Sequence, residues 1–545
     1  MMSATKSLAI AVCMAASAAC AGIPGVQRAK IIGTGWDIRR TSPEQILAHA
    51  DEFDRSGLDG LFVFISGNRA DGLDNGKYNT RHIMTASPYS REMLLPRKAT
   101  LAAFAQHRGL KESLAACHFS PQKRIDWRSD DAWERFARNV AVLAAFAREC
   151  GWKGLVYDNE DYKKTKQWFY NAEQDGGTFD ELRAMARKRG ELVGEAMFGA
   201  FPEMALVSSY NLSWERSYPV SPDPAERMRE LGDLWPSFFE GLVAAAPETV
   251  KLVDGDEHAY FCNADSHDFY VHFWNMQQGT LALLSPDMRA RYRSRLVTGG
   301  GIYLDMFVNP PDAVGGWYQP PAADGTRISR LTANIAQGAR VAGDYLWIYG
   351  EKGWLIPWHA DSLIATNKKY TAYQTWEEQL PGLTDAIRAQ TDPVALANEA
   401  LGRPGAVNLV EGKWDKWQHR YSKGRLSQNG GELVARGVWK GCFMKEIPAV
   451  PGHLYAIEGT VKGVGSVTVG WKAKGRQLAE CPVYCVPFCE KDDRGWRRGT
   501  FAFVVPPDAD SIYLMPGTGG QKKDDETRFK DIRLVEIPRN AGNCQ

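Results

Sequence analysis

Two acidic residues close a short apolar run, GLVYDNE, at residues 154–160. If this run is a β-strand, Asp158 and Glu160 lie two residues apart and their side chains share one face. Two carboxyl groups that close cannot easily ionise together, so their repulsion raises the pKa of one of them. A protonated Glu160 is the group that the cleavage of a glycosidic bond requires, as the acid that protonates the leaving oxygen. We expect Glu160 to be a general acid and Asp158 to tune it.

Further acids follow later apolar runs of the same kind. Glu351 ends the run DYLWIYGE and Asp305 lies within GIYLDMF, so either could supply a second catalytic carboxylate. The sequence does not give the separation of the carboxylates, which decides between a retaining and an inverting reaction. Asp256 belongs to an acidic stretch, VDGDEH, and is a candidate for substrate binding. Each of these acids could instead cap a helix or pair with a basic side chain.

Several aromatic residues and one histidine occur at the ends of the same runs. Sugars stack their apolar C–H faces on such rings, whereas core packing is the equally ordinary alternative. Three aromatic residues in later loops, Trp274, Trp317 and Tyr318, could extend a binding groove. The candidate substrate-binding residues at the run ends are Trp36, His118, Tyr210, Trp347 and Trp354.

The elements that would position these residues repeat eight times in the first two thirds of the chain. Continuous apolar runs alternate with helical patterns, which predicts a parallel sheet covered by helices. Eight repeats predict a closed (β/α)8 barrel, a TIM-type fold whose catalytic groups lie at the C-terminal strand ends. An open doubly wound sheet fits less well, since GTGW at residues 33–36 does not match G-x-G-x-x-G. The predicted strands are Lys30–Asp37, Gly60–Ser66, Glu112–Phe119, Gly154–Glu160, Ala205–Asn211, Val250–Tyr260, Gly301–Phe307 and Asp344–Glu351.

The pattern of apolar and polar residues changes after a polar helical stretch and the segment GRPG at residues 402–405. From there, short alternating runs are separated by Gly, Pro and Asp, which predicts an all-β jelly-roll sandwich. We therefore expect a barrel domain over residues 28–401 and a β-sandwich over residues 406–538. The strands predicted in the sandwich are His453–Lys462, Val467–Lys472, Gly499–Val505, Ser511–Met515 and Thr527–Val535.

This C-terminal part resembles the jelly-roll carbohydrate-binding modules of bacterial polysaccharide enzymes. The resemblance implies a glycan-binding domain, for which Trp414 and Trp417 are candidate platforms. The segments that carry it, in order, are NLV at residues 408–410, Trp414, Trp417, PGHLY at residues 451–455, VPP at residues 505–507 and FKDIRLV at residues 529–535.

The fourth run is similar to a degenerate chitinase-type signature, D-G-x-D-x-D-x-E. Of its four acidic positions, this chain keeps the last two, Asp158 and Glu160, whereas Lys153 and Val156 replace the first two. The resemblance implies a glycoside hydrolase barrel rather than membership of the chitinase family. In that setting, Asp158 could instead orient an acetamido group of the substrate that acts as the nucleophile.

The N-terminus has the pattern of an export signal. Lys6 precedes a short apolar segment that ends in Ala19-Cys20-Ala21, so we expect a signal peptide over residues 1–21. A lipid anchor on Cys20 is the alternative, and no later segment has the length and hydropathy of a membrane span. The predicted location is therefore periplasmic, extracellular or on the cell surface of a bacterium.

The charge balance and the spacing of the cysteines bear on which partners and which metal sites the chain could have. Lys and Arg total 66 and Asp and Glu total 65, a balance that argues against a nucleic-acid partner. Cys481, Cys485 and Cys489 are spaced C-x3-C-x3-C, which is not a usual zinc pattern, so disulfide bonding or burial is the expected use. No motif for a cofactor is present. The sequence therefore predicts an exported glycoside hydrolase acting on a poly- or oligosaccharide, with a non-catalytic glycan-binding surface protein as the alternative.

Overall fold

The computed structural model describes residues 28–65, 79–84, 87–213, 218, 221–358, 374–479, 481 and 483–539. Eight parallel strands close into a barrel, and antiparallel sheets follow in the C-terminal part of the chain. The predicted fold class, a TIM-type barrel followed by an all-β domain, is thus confirmed. The predicted signal peptide and Cys20 lie outside the described residues.

The barrel strands pair in sequence order, and the first strand, β1, pairs with the last, β8, to close the ring. Side chains of these strands are buried along nearly their whole length, as expected for a parallel sheet covered on its outside by helices. The strands are β1 Lys30–Gly35, β2 Gly60–Phe64, β3 Leu114–His118, β4 Gly154–Asp158, β5 Ala205–Ser208, β6 Lys251–Asp254, β7 Leu296–Tyr303 and β8 Tyr345–Gly350.

Helices fill most connections between the barrel strands. Long amphipathic helices such as Asp130–Glu149 bury one face of large apolar side chains against the barrel. The described α-helices in residues 28–379 are Pro43–Ala48, Ala50–Ser56, Arg91–Leu94, Lys98–Ala103, Asp130–Glu149, Ala172–Asp175, Phe179–Ala200, Pro224–Leu231, Trp235–Ala245, Asp268–Gly279, Pro286–Arg293, Arg327–Val341 and Trp376–Gln379.

Glycines set the entry into the strands. Gly57 and Gly151 have φ values of 82° and 76°, the left-handed conformation that ends a helix. Gly154, the first residue of β4, has φ 155°, and a Cβ there would lie 1.9 Å from the carbonyl oxygen of Ala205. Only glycine fits at this position, so the start of β4, and with it the register of Asp158, depends on it.

Some element bounds differ from those predicted. Strand β7 begins at Leu296, five residues before the predicted start, because three consecutive glycines interrupt the apolar pattern within it. Its predicted end, Phe307, lies instead in a 3-10 helix, Leu304–Phe307. The segment between β5 and β6 forms two helices, Pro224–Leu231 and Trp235–Ala245, since Gly232 takes a left-handed conformation and ends the first of them.

The C-terminal part forms a five-stranded and a six-stranded sheet. All five predicted strands are present, but β9 to β12, β15 and β16 were not predicted, because they are short or mix charged residues with apolar ones. The strands are β9 Asp415–Gln418, β10 Arg425–Asn429, β11 Glu432–Arg436, β12 Lys440–Pro448, β13 Leu454–Lys462, β14 Ser466–Ala473, β15 Arg476–Gln477, β16 Tyr484–Cys485, β17 Trp496–Val504, β18 Ser511–Gly519 and β19 Glu526–Glu536.

The chain divides into two compact units. One comprises the described residues of 28–318 and 337–379, and the other comprises the described residues of 319–336 and 380–539. The second unit therefore contains two helices, Leu383–Thr391 and Pro393–Gly402, as well as the sheets. Apolar side chains of these helices, such as Leu396, share a core with Leu454 and Val504 of the sheet.

The described cysteines are not joined by disulfides. Cys442, Cys481, Cys485 and Cys489 form no disulfide with one another or with any other described cysteine. Cys442 and Cys481 are buried. No described helix combines the length and hydropathy needed to cross a membrane.

Candidate active site

Asp158, Glu160 and Tyr162 lie together just after β4, at the C-terminal end of the barrel strands, here called the mouth. The backbone N–H of Glu160 donates to Asp158 Oδ1 at 2.9 Å. The hydroxyl oxygen of Tyr162 lies 2.7 Å from Asp158 Oδ2 and 2.5 Å from Glu160 Oε2. A phenol has one proton and can donate to only one carboxylate, so the two contacts together require a second proton. The geometry thus fits a protonated carboxyl group on one of the two acids.

The electrostatics identify Glu160 as a group that holds this proton. Partial burial and the nearby negative charge of Asp158 raise the pKa of Glu160 to about 7, although the positive charge of Arg39 opposes the shift. Among the described residues, no Lys or Arg nitrogen lies within ion-pair distance of Glu160. Glu160 can therefore exchange a proton near neutral pH, as a general acid must.

Glu257 is the third acid of this group, and we call Asp158, Glu160 and Glu257 the acid cluster. Glu257 begins a 3-10 helix, Glu257–Phe261, directly after β6. Burial, followed by the charges of Glu160 and Asp158, raises its pKa well above the ordinary value. The hydroxyl of Tyr210 donates to Glu257 Oε2 at 3.3 Å. Glu257 is therefore the second carboxylate that interacts with Glu160.

Arg39 supplies positive charge within the mouth. It lies in the 3-10 turn after β1, with its guanidinium carbon 5.1 Å from the ring centre of Tyr349 and 5.9 Å from that of Phe64. Its Nε is buried and has no hydrogen-bond partner among the described residues. Arg39 lowers the pKa values of Glu160 and Glu257 against the effect of burial, so it limits the repulsion within the acid cluster.

His118, at the end of β3, packs between aromatic rings rather than facing solvent. Its ring centre lies 5.2 Å from that of Phe64 and 5.3 Å from that of Tyr162. Burial and the nearby positive charge of Arg39 lower its pKa to about 3, although Asp158 opposes the shift. His118 Nε2 lies 3.7 Å from Asp158 Oδ2. His118 is therefore neutral, and its ring packs against that of Tyr162 and lies close to Asp158.

The acids after β7 and β8 form a second group. The backbone N–H of Glu351 donates to Asp305 Oδ1 at 2.8 Å. Tyr349 donates to Glu351 Oε1 at 2.6 Å and accepts from Trp36 Nε1 at 2.8 Å. Burial raises the pKa of Asp305 to about 6, and the charge of Glu351 adds to the effect. Because Arg39 packs on Tyr349, this group adjoins the acid cluster through one aromatic ring.

Asp254 and Asp256 at the end of β6 serve the local structure. Asp254 is fully buried and accepts from Ser213 Oγ at 2.7 Å, and burial together with the charge of Asp256 raises its pKa to about 7. Asp256 Oδ1 accepts from the N–H of His258 at 2.8 Å, and Oδ2 lies 2.7 Å from His272 Nε2. Both oxygens of Asp256 are thus engaged by the protein.

The aromatic residues that were predicted to bind substrate differ in how far they are buried. Trp347 is only 3% exposed, and its Nε1 donates to the carbonyl of Gly255 at 2.6 Å, so it packs inside the barrel. Trp354 is half-buried, and its backbone pairs with that of Thr375. Tyr210 reaches the acid cluster through its hydroxyl, and Trp36 reaches Glu351 through Tyr349. Trp347 also lines a cavity of about 20 Å³ beside Asp158 and Arg39, with room for about one water.

Arg39 was not foreseen from the sequence, whereas Tyr162 and Glu257 belong to stretches that the sequence offered as possible parts of a site, without a specific role for either. Arg39 and Tyr162 follow their strands by several residues, and Glu257 was one acid among several in VDGDEH. A search for polar residues within five positions of each strand end would have found all three. Their distances to Asp158 and Glu160 depend on how the turns fold, which no local pattern indicates.

In the C-terminal sheets, the most exposed aromatic residues are not Trp414 and Trp417, which were predicted to be the sugar-binding platforms. Trp414 is buried in the apolar core, so it cannot be a platform, and Trp417 is half-buried. Trp439 and Tyr421 are 52% and 68% exposed. Their rings lie 5.2 and 5.3 Å from the ring of His419, so the three form one exposed aromatic surface patch.

Comparison with known proteins gives likenesses of fold. Scans against family models and curated proteins returned no match. A sugar phosphate isomerase/epimerase from Parabacteroides distasonis is 13% identical over 68% of this chain and 96% of its own, with a TM-score of 0.29. A 3-keto-D-glucoside 4-epimerase from E. coli is 13% identical over 59% of this chain and 91% of its own, with a TM-score of 0.29. A structure described as CBM4 is 18% identical over 23% of this chain and 86% of its own, with a TM-score of 0.18. At these scores the likenesses assign neither a family nor a reaction.

Proposed function

We propose that this protein is an exported glycoside hydrolase in which Glu160 is the general acid. The observation that carries the proposal is the contact of one tyrosine hydroxyl, that of Tyr162, with both Asp158 and Glu160. This arrangement needs a shared extra proton, and the pKa of Glu160, about 7, leaves that proton available near neutral pH.

The remaining mouth residues take complementary roles. Glu160 gives its proton to the glycosidic oxygen as the bond from that oxygen to the anomeric carbon breaks, and water supplies the hydroxyl of the new reducing end. Glu257 is the second carboxylate, which stabilises positive charge at the anomeric carbon or activates the attacking group. Asp158 maintains the proton on Glu160, and Tyr162 holds both acids in position.

The test is hydrolysis of a panel of polysaccharides, read as new reducing ends, by the protein lacking residues 1–21. Glu160→Gln and Glu257→Gln are expected to reduce the rate on any cleaved glycan by about 10³-fold, the effect of losing acid catalysis and electrostatic stabilisation together. Glu173→Gln, an exposed glutamate on the helix Ala172–Asp175, is the matched control and should keep full activity. A glycan that Glu160→Gln cleaves at the wild-type rate would place the acid elsewhere, and binding without cleavage would favour a glycan-binding protein.

We further propose that the C-terminal sheets bind polymer through the patch of His419, Tyr421 and Trp439. Exposed aromatic rings offer flat apolar faces for sugar rings, and a linked binding site raises the concentration of polymer near the barrel. Trp439→Ala should weaken retention on an insoluble polysaccharide by about 10-fold while leaving the hydrolysis of a short soluble oligosaccharide unchanged. Retention equal to that of the wild type would show that this patch does not bind glycan.

A further inference from the structure

A cleft lies beside the acid cluster, between the 3-10 helix Glu257–Phe261 and the helix Asp268–Gly279. Its volume of about 360 Å³ falls in the range of small-molecule sites. None of the hydrolytic steps described above uses it. The residues that line it are Ser213, Asp256, His258, Phe261, Cys262, Asp268, Val271, His272, Asn275 and Met276.

The cleft is continuous with the acid cluster along the chain and through side chains. Asp256, on its floor, is followed directly by Glu257. The ring of His258, on its wall, lies 5.0 Å from the ring of Tyr210, whose hydroxyl contacts Glu257. A chain molecule with one unit at Glu160 and Glu257 would therefore place its next units along this cleft.

The wall of the cleft has the mixed character that sugars require. Asp268, His272 and Asn275 occur at i, i+4 and i+7, so one face of the helix presents three polar side chains. Phe261 and Val271 contribute apolar surface to the same space. Sugars combine hydroxyls with apolar ring faces, so they are recognised by polar groups next to apolar ones.

Exposed aromatic rings lie on the flank of the same helix. Trp274 is 63% exposed and Tyr270 is 39% exposed, and they are one turn apart. Trp317, also partly exposed, packs 5.1 Å from Phe261 of the cleft wall. Exposed aromatic side chains that are grouped together are a feature of binding surfaces, so this group favours a polymer that extends past the rim.

The floor of the cleft is held in an unusual backbone conformation. Asp256 has φ 20°, which residues other than glycine rarely adopt, and it is 1% exposed. Its two carboxylate oxygens are fixed by the N–H of His258 and by Nε2 of His272. This contact joins the end of β6 to the helix wall and gives the cleft a preformed shape, as expected of a binding site.

From these observations we infer that this cleft is a sugar-binding subsite, which holds the units of a linear glycan next to the unit at the acid cluster. The inference rests on the proposed function for the identity of the ligand, but not on catalysis. It assigns to the enzyme an extended binding groove on the β6 side of the mouth, and hence a preference for oligosaccharides over single sugars.

The experiment measures calorimetric binding of the full chain to linear hexaoses and trioses of chitin, cellulose, β-1,4-mannan and β-1,4-galactan. Asn275→Trp fills the cleft and leaves both Asp256 and His272 in the chain, and Ala290→Trp puts a tryptophan on an exposed position of the helix Pro286–Arg293, outside the cleft. We expect Asn275→Trp to weaken binding of the best hexaose by about 10-fold or more, to weaken the triose less, and Ala290→Trp to bind like the wild type.

Three results would overturn the inference. Equal binding by Asn275→Trp and the wild type would show that the cleft is not occupied, and so would equal loss in Asn275→Trp and Ala290→Trp. If the wild-type protein bound none of the hexaoses, these glycans would not occupy the cleft, and the inference of a sugar-binding subsite would be wrong. If the protein bound glycan through the cleft but cleaved none, the subsite would be supported and the proposed hydrolase activity would be wrong. The two proposals can therefore fail separately.

Discussion

At the scale of single residues, the acid cluster stores electrostatic repulsion that a neutral side chain would remove. Since the pKa of Glu160 in the folded protein, about 7, exceeds the ordinary value of 4.5, its proton stabilises the fold. That contribution is complete below about pH 4.5 and is lost as the pH rises through about 7. Glu160→Gln carries no such proton, so its stability relative to the wild type should be greater at pH 8 than at pH 5 by about 1–3 kcal/mol.

Urea unfolding at both pH values measures this difference. Glu173→Gln, at an exposed site, should show the same stability relative to the wild type at the two pH values. A Glu160→Gln variant that is less stable than the wild type by the same amount at pH 5 and pH 8 would mean that Glu160 is an ordinary structural acid.

A second prediction concerns the pH dependence of hydrolysis. The rate should fall as the pH rises through about 7, because Glu160 then loses the proton that it donates. Asp158→Asn removes a charge that raises the pKa of Glu160, so it should move this decline to lower pH. Arg39→Gln removes a charge that lowers this pKa, so it should move the decline to higher pH. Profiles of kcat/KM against pH measure both shifts, and shifts in the same direction would contradict the assigned electrostatics.

At the scale of elements, the entry of β4 depends on Gly154. A methyl group there would lie 1.9 Å from the carbonyl oxygen of Ala205, and the backbone conformation is one that alanine disfavours. Gly154→Ala should therefore destabilise the barrel by more than about 2 kcal/mol. Gly199→Ala, near the end of the helix Phe179–Ala200 and with no atom within 4 Å of the new methyl, should be neutral or slightly stabilising. Thermal unfolding compares the two, and equal melting temperatures would be inconsistent with the packing.

The same elements show what the sequence can and cannot predict. The eight barrel strands were predicted because each is a continuous apolar run, and Asp158 and Glu160 followed from the end of one run. Strand β7 was misplaced because Gly299–Gly301 carry no side-chain pattern. Strands β9 to β12 were missed because they carry charged residues among apolar ones. Arg39, Tyr162 and Glu257 meet only after the turns fold, so local patterns could not bring them together.

At the scale of the whole molecule, the helices over residues 383–402 belong to the same compact unit as the C-terminal sheets. Leu396 is fully buried in the core that this helix pair shares with Leu454 and Val504. Leu396→Ala should cost that unit about 2–5 kcal/mol, whereas Leu206→Ala, in β5, should cost the barrel a similar amount. Scanning calorimetry should show that the two variants lower different transitions. If both lowered the same transition and left a second one unchanged, the division into units would be wrong.

The buried, like-charged acids at the mouth also bear on how sequences of this kind change over time. Because Asp158, Glu160 and Glu257 repel one another, a neutral replacement of one of them would relieve this repulsion, and selection for the proposed activity is what would retain all three. A lineage released from that selection should lose these acids early and keep the apolar runs that build the barrel. The three positions therefore distinguish descendants that still perform chemistry from those that keep only the shape.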